Sequence, residues 1–374
     1  MRVLTVFGTR PEAIKLAPVV RAFLQSDATT HATCVTGQHR QMLDQVLQVF
    51  DIVPDFDLNI MKPGQGLDYV TSAVLSGVGE VVETFKPNWI VVQGDTTTAF
   101  AAALAAFYRR AKVAHVEAGL RTGNIYSPWP EEMNRRLVSA LATIHFPPTP
   151  LAAQNLAREG VSAERVLITG NTVIDALQWV AGRLRADPAM AAAFDRQFSF
   201  LDSHKRLILV TGHRRENFDG GLARVCAALA QLARRDDVQI VYPVHLNPQV
   251  QATARAALAN APSVFLIDPL DYLPFVYLMQ RAYLIVTDSG GIQEEAPGLG
   301  VPVLVTRDTT ERPEAISAGT ARLVGTDSAV LITAVNELLD DAAAHQKMAR
   351  ATNPFGDGVA AKRIVERLKN EPVQ

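Results

Sequence analysis

Two cysteines, Cys34 and Cys226, are all that the 374 residues contain. They lie far apart in apolar stretches, without metal-ligand spacing or a Cys-x-x-Cys pair, which excludes a disulfide scaffold and reads as two reduced core thiols. The eight histidines are scattered and form no His-Glu-x-x-His, so no metal site is expected. Gly-x-Gly-x-x-Gly and Gly-x-x-x-x-Gly-Lys-Ser/Thr are both missing, which argues against NAD and ATP. An excess of one charge is missing too. Lys and Arg number 36 against 38 Asp and Glu, and a net charge of -2 gives no global field to hold nucleic acid or an anionic membrane. Nowhere do about 18 apolar residues run together without a charge, so no membrane span is expected. Residues Met1 to Gly8 read as a buried strand, and Arg10, Glu12 and Lys15 put charges into the stretch after it, so no export segment is expected either. A cytoplasmic protein without metal or cofactor is the resulting expectation.

What is present is an alternation of short apolar runs with longer stretches of helical spacing, the pattern of parallel sheets covered by helices. The first half offers strands at Val3 to Phe7, Ala32 to Thr36, Trp89 to Gln93, Val113 to Val116, Thr143 to Phe146 and Val166 to Thr169. The second offers Leu207 to Thr211, Gln239 to Val244, Val264 to Ile267, Tyr283 to Thr287 and Val301 to Thr306. Two sets of similar size predict two α/β lobes. Their change falls between about Thr169 and Lys205, around a helical stretch Ala181 to Arg196 with Pro188 inside it, giving domains 1–170 and 171–356. After the Gly- and Pro-containing break Asn353 to Gly358, a helix within about 357–374 returns to the first lobe. Doubly wound sheets bind ligands beyond the carboxyl ends of their strands, which predicts a cleft lined by residues just after strands.

Charged residues cluster at those positions. After the first strand, Arg10 and Lys15 follow Gly8-Thr9 and stand beside Pro11; they either reach an anion at a helix N-terminus or decorate an ordinary helix start. Asp95, in Gly94-Asp95-Thr96, reads alone as an N-cap. Glu117, in His115-Val116-Glu117-Ala118-Gly119, puts a second carboxylate at the neighbouring strand end, an arrangement in which like charges raise each other's pKa and suit proton transfer. Glu131 with Arg135 and Glu132 with Arg136 are i,i+4 pairs, and the Glu132 pair reads as a surface salt bridge. In the second half, His213 of Gly212-His213-Arg214-Arg215-Glu216-Asn217 is either incidental or a donor to a departing phosphate. Thr287-Asp288-Ser289-Gly290-Gly291 leads from a strand into a helix and leaves backbone N–H groups open to a pyrophosphate; Glu294 or Glu295 could then accept from a ribose diol. Arg312 adds a cation after the next strand.

Together these segments, with Arg307 to Glu314 and Asn353 to Gly358, resemble the non-hydrolysing UDP-N-acetylglucosamine 2-epimerase family over nearly the whole chain. The resemblance implies two Rossmann-like lobes of glycosyltransferase-B type, a homodimer, a UDP-N-acetylhexosamine in the interlobe cleft, and a supply of UDP-N-acetylmannosamine for surface polysaccharide. It implies Asp95, Glu117 and Glu131 as acid/base carboxylates and His213 at the departing phosphate. It implies Arg10, Lys15, Arg135, Ser289, Gly290, Gly291, Glu295 and Arg312 at the substrate, with Phe275 near the uracil. Some members bind a second substrate molecule as an activator through residues that match Gln38, His39, Gln41, Glu132 and His245. Where such members carry an arginine after the segment matching Asn59 to Lys62, this chain has Pro63-Gly64.

The rival readings are a two-lobed glycosyltransferase, a hydrolysing epimerase and a non-catalytic UDP-sugar sensor. A transferase needs an acceptor and no set of three carboxylates around one sugar. Water access separates the hydrolysing enzyme, and a sensor has no use for Asp95, Glu117, Glu131 and His213.

Overall fold

The computed structural model describes residues 1–372 apart from His39, His213, Arg215 and Glu216. Six strands form a first sheet: β1 (Arg2–Phe7), β2 (Thr30–Val35), β3 (Phe56–Asp57), β4 (Trp89–Gln93), β5 (Lys112–Val116) and β6 (Ile144–Phe146). Six more form a second: β7 (Arg206–Thr211), β8 (Val238–Pro243), β9 (Val264–Ile267), β10 (Ala282–Thr287), β11 (Val303–Val305) and β12 (Ala321–Leu323). Every pairing is parallel, in the orders β3-β2-β1-β4-β5-β6 and β12-β11-β10-β7-β8-β9. Helices cover both faces of such sheets, so a central strand such as β4 is buried along its whole length and reads as an uninterrupted apolar run. Strand order reverses at the β1/β4 pair and at the β10/β7 pair, and the crevices open at the carboxyl ends of those strands.

The chain divides into two compact units, Met1–Ala176 with Phe355–Gln374, and Leu177–Pro354. The core of the first packs Leu4, Val6, Ile90 and Val92 against helix residues such as Val74, Val78 and Ala102; that of the second packs Ile208, Val210, Ile240 and Val286 against Val225, Leu229 and Val335. Full burial of each such branched side chain stabilises the fold by about 1.5–3 kcal/mol. The helix Ala360–Lys369 completes the first unit with its buried Ile364, Val365 and Leu368. Asp175 fixes its start by accepting from the Ala361 amide at 2.9 Å, and Arg363 donates to the Thr169 carbonyl at 2.9 Å. Among the described residues no helix is long and apolar enough to cross a membrane.

Two local expectations are corrected, and two short strands were not foreseen. Residues 166–169 are not a sheet strand: Val166 makes one isolated bridge with His145 before the chain turns at Gly170, φ +86°. The stretch from Ala181 to Arg196 is not one helix but the end of Thr172–Ala186 and most of Pro188–Gln197. Pro188 starts the second of these, where its missing N–H costs nothing, and Asp187 caps it by accepting from the Ala189 and Met190 amides at 3.0 Å. The edge strands β3 and β12, of two and three residues, are too short to leave a periodic signal.

Candidate active site

In the first unit the strand ends carry carboxylates, each already matched with cations or amides. Glu117 follows β5 with its backbone at φ +60°, a left-handed conformation that costs a non-glycine residue about 1–3 kcal/mol and occurs preferentially at functional sites. Its buried carboxylate accepts from Lys15 Nζ at 2.7 and 2.6 Å, from the Gln93 side-chain amide at the end of β4, and from Asn171 Nδ2 at 2.9 Å. Asp95, two residues after β4, accepts from Arg135 Nε at 2.8 Å, and its carbonyl accepts from Asn134 Nδ2 at 2.9 Å. The helix after it is capped by Thr96, whose hydroxyl accepts from the Ala99 amide at 3.0 Å; Asp95 is therefore not the cap, and its carboxylate is left to Arg135.

Arg135 is shared. It also donates to Glu132 Oε2 at 3.0 Å, while Glu132 accepts from the amides of Thr122 at 3.1 Å and Gly123 at 3.3 Å. Glu132 is fully buried, which corrects its reading as a surface salt bridge: the helical spacing placed it near Arg136, 3.7 Å away, but the loop 122–123 closes over it. Burial opposes its ionisation, and the two amides with Arg135 outweigh that cost and hold its carboxyl below the usual range. Glu131, partly exposed at the first helical position, makes no hydrogen bond or ion pair among the described residues.

The β1 and β4 ends are tied together by Glu12. Its carboxylate accepts from the Gly8 amide at 3.0 Å, from the Thr9 amide and hydroxyl at 2.8 Å each, and from the Thr96 hydroxyl at 2.6 Å. Complete burial nonetheless pushes its pKa up. Gly8 admits no side chain: a Cβ there would stand 2.0 Å from Thr36 Oγ1 and 2.6 Å from Thr98 Oγ1. His115, pushed down to about 4 by burial, is neutral and donates from Nε2 to the Gly94 carbonyl at 2.8 Å, which steadies the turn that carries Asp95.

The second unit presents amides and arginines. Ser289 precedes the short helix Gly290–Glu295 without capping it, so the first backbone N–H groups keep their donors open. The Ser289 amide itself turns back to Thr287 Oγ1 at 2.9 Å. A Cβ built on Gly290 would lie 4.0 Å from the guanidinium groups of both Arg214 and Arg312, so two cations flank the glycine turn. Arg312 is held by the buried Glu294, and Arg307 with Arg214 faces Glu311, at 2.6 and 3.8 Å. The Arg307 hydrogen bond leads the forces that hold Glu311 down to about 2. Glu295 accepts from the Tyr272 hydroxyl at 3.3 Å, and Phe275 stands partly exposed on the same helix, Tyr272–Arg281.

Carboxylates thus stand at the strand ends of one unit, and an uncapped helix start flanked by arginines stands in the other. A model of the family described as UDP-N-acetylglucosamine 2-epimerase matches residues 21–369. The chain belongs to that family. Among UDP-N-acetylglucosamine 2-epimerases, the protein of Yersinia pestis is 59% identical over 374 residues, covering 100% of both chains. The Neisseria meningitidis UDP-GlcNAc 2-epimerase, solved bound to UDP-GlcNAc, is 49% identical with a TM-score of 0.90 and covers 99% of this chain and 100% of that one. The Methanocaldococcus jannaschii UDP-GlcNAc 2-epimerase, solved in complex with UDP-GlcNAc and UDP, is 33% identical with a TM-score of 0.79, over 99% and 100% of the two chains. A glycosyltransferase of Rickettsia africae, 13% identical with a TM-score of 0.62, shares the fold alone. The two Rossmann-like lobes of glycosyltransferase-B type are thus the architecture of this epimerase family member.

Of the residues singled out from the sequence, the fold brings together Lys15 with Glu117, Asp95 with Arg135 and Glu132, and Gly290 with Arg312. Arg10, at the first position of its helix, makes no bond among the described residues. Of the residues that match the activator set of some relatives, Gln38 accepts from Thr98 Oγ1 at 2.9 Å, Gln41 is exposed, Glu132 is engaged as above, and exposed His245 accepts from the Asn247 amide at 3.1 Å. His39 and His213 lie outside the described residues. Sequence reasoning missed Glu12, Gln93 and Asn171. Glu12 had a local signal, the capping-box spacing Thr9-x-x-Glu12 before an apolar run. Gln93 and Asn171 had none, because their contacts are long-range.

Proposed function

We propose that the chain inverts carbon 2 of UDP-N-acetylglucosamine to give UDP-N-acetylmannosamine, without net hydrolysis and without a cofactor. The observation that carries this is the pair of carboxylates, Asp95 and Glu117, standing just after the adjacent parallel strands β4 and β5 in a chain that matches an epimerase family from end to end.

The proton on C2 lies next to an amide nitrogen and not a carbonyl, so a carboxylate cannot remove it unaided. The C1–O bond therefore breaks as the proton leaves: the C2–H electrons form the C1=C2 bond, the C1–O pair departs with UDP, and a carboxylate takes the proton. The product is 2-acetamidoglucal beside UDP. In the second half, a carboxylic acid protonates the other face of C2 and the UDP oxygen adds to C1. Asp95, Glu117 and Glu131 are the carboxylates for these transfers. Charge developing on the diphosphate falls to the open amides of Gly290 and Gly291 after Ser289, with Arg312, Arg10, Arg135 and His213. Glu295 suits the ribose diol and Phe275 the uracil. A helix end supplies about 0.3–2 kcal/mol and a positioned acid or base roughly 10²- to 10⁴-fold, so the groups must act together.

In this reading residues 1–170 with the C-terminal helix supply the acid/base groups and residues 171–356 hold the nucleotide. The chain works in the cytoplasm, in keeping with its two free buried thiols, and feeds surface-polysaccharide synthesis. It is a homodimer: Met133 and Leu137 expose an apolar strip on the helix Glu131–Leu141, and Tyr126 and Trp129 add exposed rings in the preceding loop, apolar surface that a second copy would cover.

The test is proton NMR with UDP-N-acetylglucosamine alone in deuterated water. UDP-N-acetylmannosamine should appear carrying deuterium at C2; free sugar with UDP would mean a hydrolysing enzyme, and an inert substrate would move the reading to a transferase awaiting its acceptor.

A further inference from the structure

Asn171 comes just after the turn at Gly170 and is 2% exposed. Three of its four polar groups tie it to the parts that matter here, and its carbonyl accepts from the Ile174 amide at 3.1 Å. Its amide N–H donates to the Phe355 carbonyl at 2.6 Å, its Oδ1 accepts from the Val173 amide at 3.1 Å, and its Nδ2 donates to Glu117 Oε1 at 2.9 Å. The backbone around it is fixed by close approach. Gly170 is at φ +86° and Gly356 at φ +141°, and a Cβ on Gly170 would stand 3.0 Å from Gly356 Cα and 3.3 Å from the Phe355 carbonyl oxygen. The side chain that reaches Glu117 thus projects from two chain segments stitched to one another, not from a free loop.

We propose that Asn171 is a positioning residue for the reaction: it fixes the rotamer of the Glu117 carboxylate and reserves Oε1 as an acceptor, so that the group faces C2 in its anionic form. This rests on the reading of Glu117 as a proton-transfer group. Oε1 receives both Lys15 and Asn171, and Oε2 receives Lys15 and Gln93, so each of these three neighbours is a donor. An ammonium on a flexible stem sets charge but not direction; the planar amides of Gln93 and Asn171 set direction. Among the described residues, the titratable side chains facing Glu117 include Lys15 and, two residues earlier on β5, His115, which is neutral.

Asn171→Asp tests this cleanly. It keeps the oxygen that caps the Val173 amide and the backbone bond to Phe355, and replaces the donor to Glu117 by a like charge. Asn171→Ser keeps a capping oxygen, is uncharged and cannot reach Glu117. Both variants should keep a wild-type melting temperature within a few degrees. For both, kcat should fall about 10- to 100-fold with KM little changed, the scale expected when a reacting group is misplaced by about 1 Å. In Asn171→Asp alone, the acid limb of the kcat/KM profile should move to higher pH, and the Glu117 carboxyl, followed by ¹³C NMR with Glu117→Gln for assignment, should titrate at higher pH. Folded variants with wild-type kcat, or an Asn171→Asp carboxyl titration that does not move, would overturn the proposal. The carboxyl titration is read without substrate, so a wild-type chain inert toward UDP-N-acetylglucosamine would overturn the reaction while leaving the hydrogen bond to be judged separately.

Discussion

The two units share a topology and line it with opposite charges. Both place the residues of the proposed site beyond parallel strands near a reversal in strand order. At the β4 and β5 ends of the first, the residues are acids, and each acid is met by a base or an amide: Glu117 by Lys15, Asp95 by Arg135. At the β10 end of the second, the residues are glycines and a serine, and arginines gather around them. A parallel sheet thus supplies a place and not a chemistry. The residues of the connecting turns decide whether that place handles protons or anions.

This contrast is broken most directly by removing one group from each side. Glu117→Gln should lower kcat by roughly 10²- to 10⁴-fold, the range for a positioned acid or base, while UDP affinity stays near wild type. Arg312→Ala should do the reverse, weakening UDP binding about 10- to 100-fold, as loss of a charge-assisted hydrogen bond of about 1.5–3 kcal/mol requires, with a smaller effect on C2 exchange. Calorimetry with UDP and exchange of the C2 proton measured on both variants decide it. Equal losses in both assays for both variants would dissolve the division of labour.

A smaller effect sharpens the comparison through pH. In the first unit burial pushes Asp175 up to about 6, against the amide bond from Ala361; in the second Arg307 leads in holding Glu311 down to about 2. Between about pH 4 and 6 the folded chain binds more protons at Asp175 than the unfolded chain, so this group's contribution is present below the unfolded pKa and is lost as pH rises through about 6. Glu311 has the opposite sign: its contribution is present above its unfolded pKa, near 4.5, and is lost as pH falls toward about 2. Urea unfolding across pH should show Asp175→Asn flattening the first slope and Glu311→Gln the second. The same slope lost in both variants would contradict these environments.

The sequence made the sheets legible because their strands are buried on both faces and therefore apolar throughout. It made the glycine turn before Gly290 and the carboxylates after β4 and β5 legible because those signals are local. It misplaced the N-cap by one residue, choosing Asp95 over Thr96, since both side chains can cap and only the fold shows Arg135 claiming the aspartate. It put Glu132 on the surface because helical spacing gives its neighbours along the helix and not the loop 122–123 that covers it. Asn171 was invisible for the same reason: 54 residues separate it from the carboxylate it holds.

The first unit is also divided in the order of its synthesis. Its closing helix, Ala360–Lys369, leaves the ribosome only after all of residues 177–354. Until then Asp175 lacks the Ala361 amide, and the apolar surface awaiting Ile364, Val365 and Leu368 stays open to water. The nascent first unit must therefore persist as a partly assembled sheet while the second is made and folds, and it is during that interval that the chain depends most on being kept from other hydrophobic surfaces.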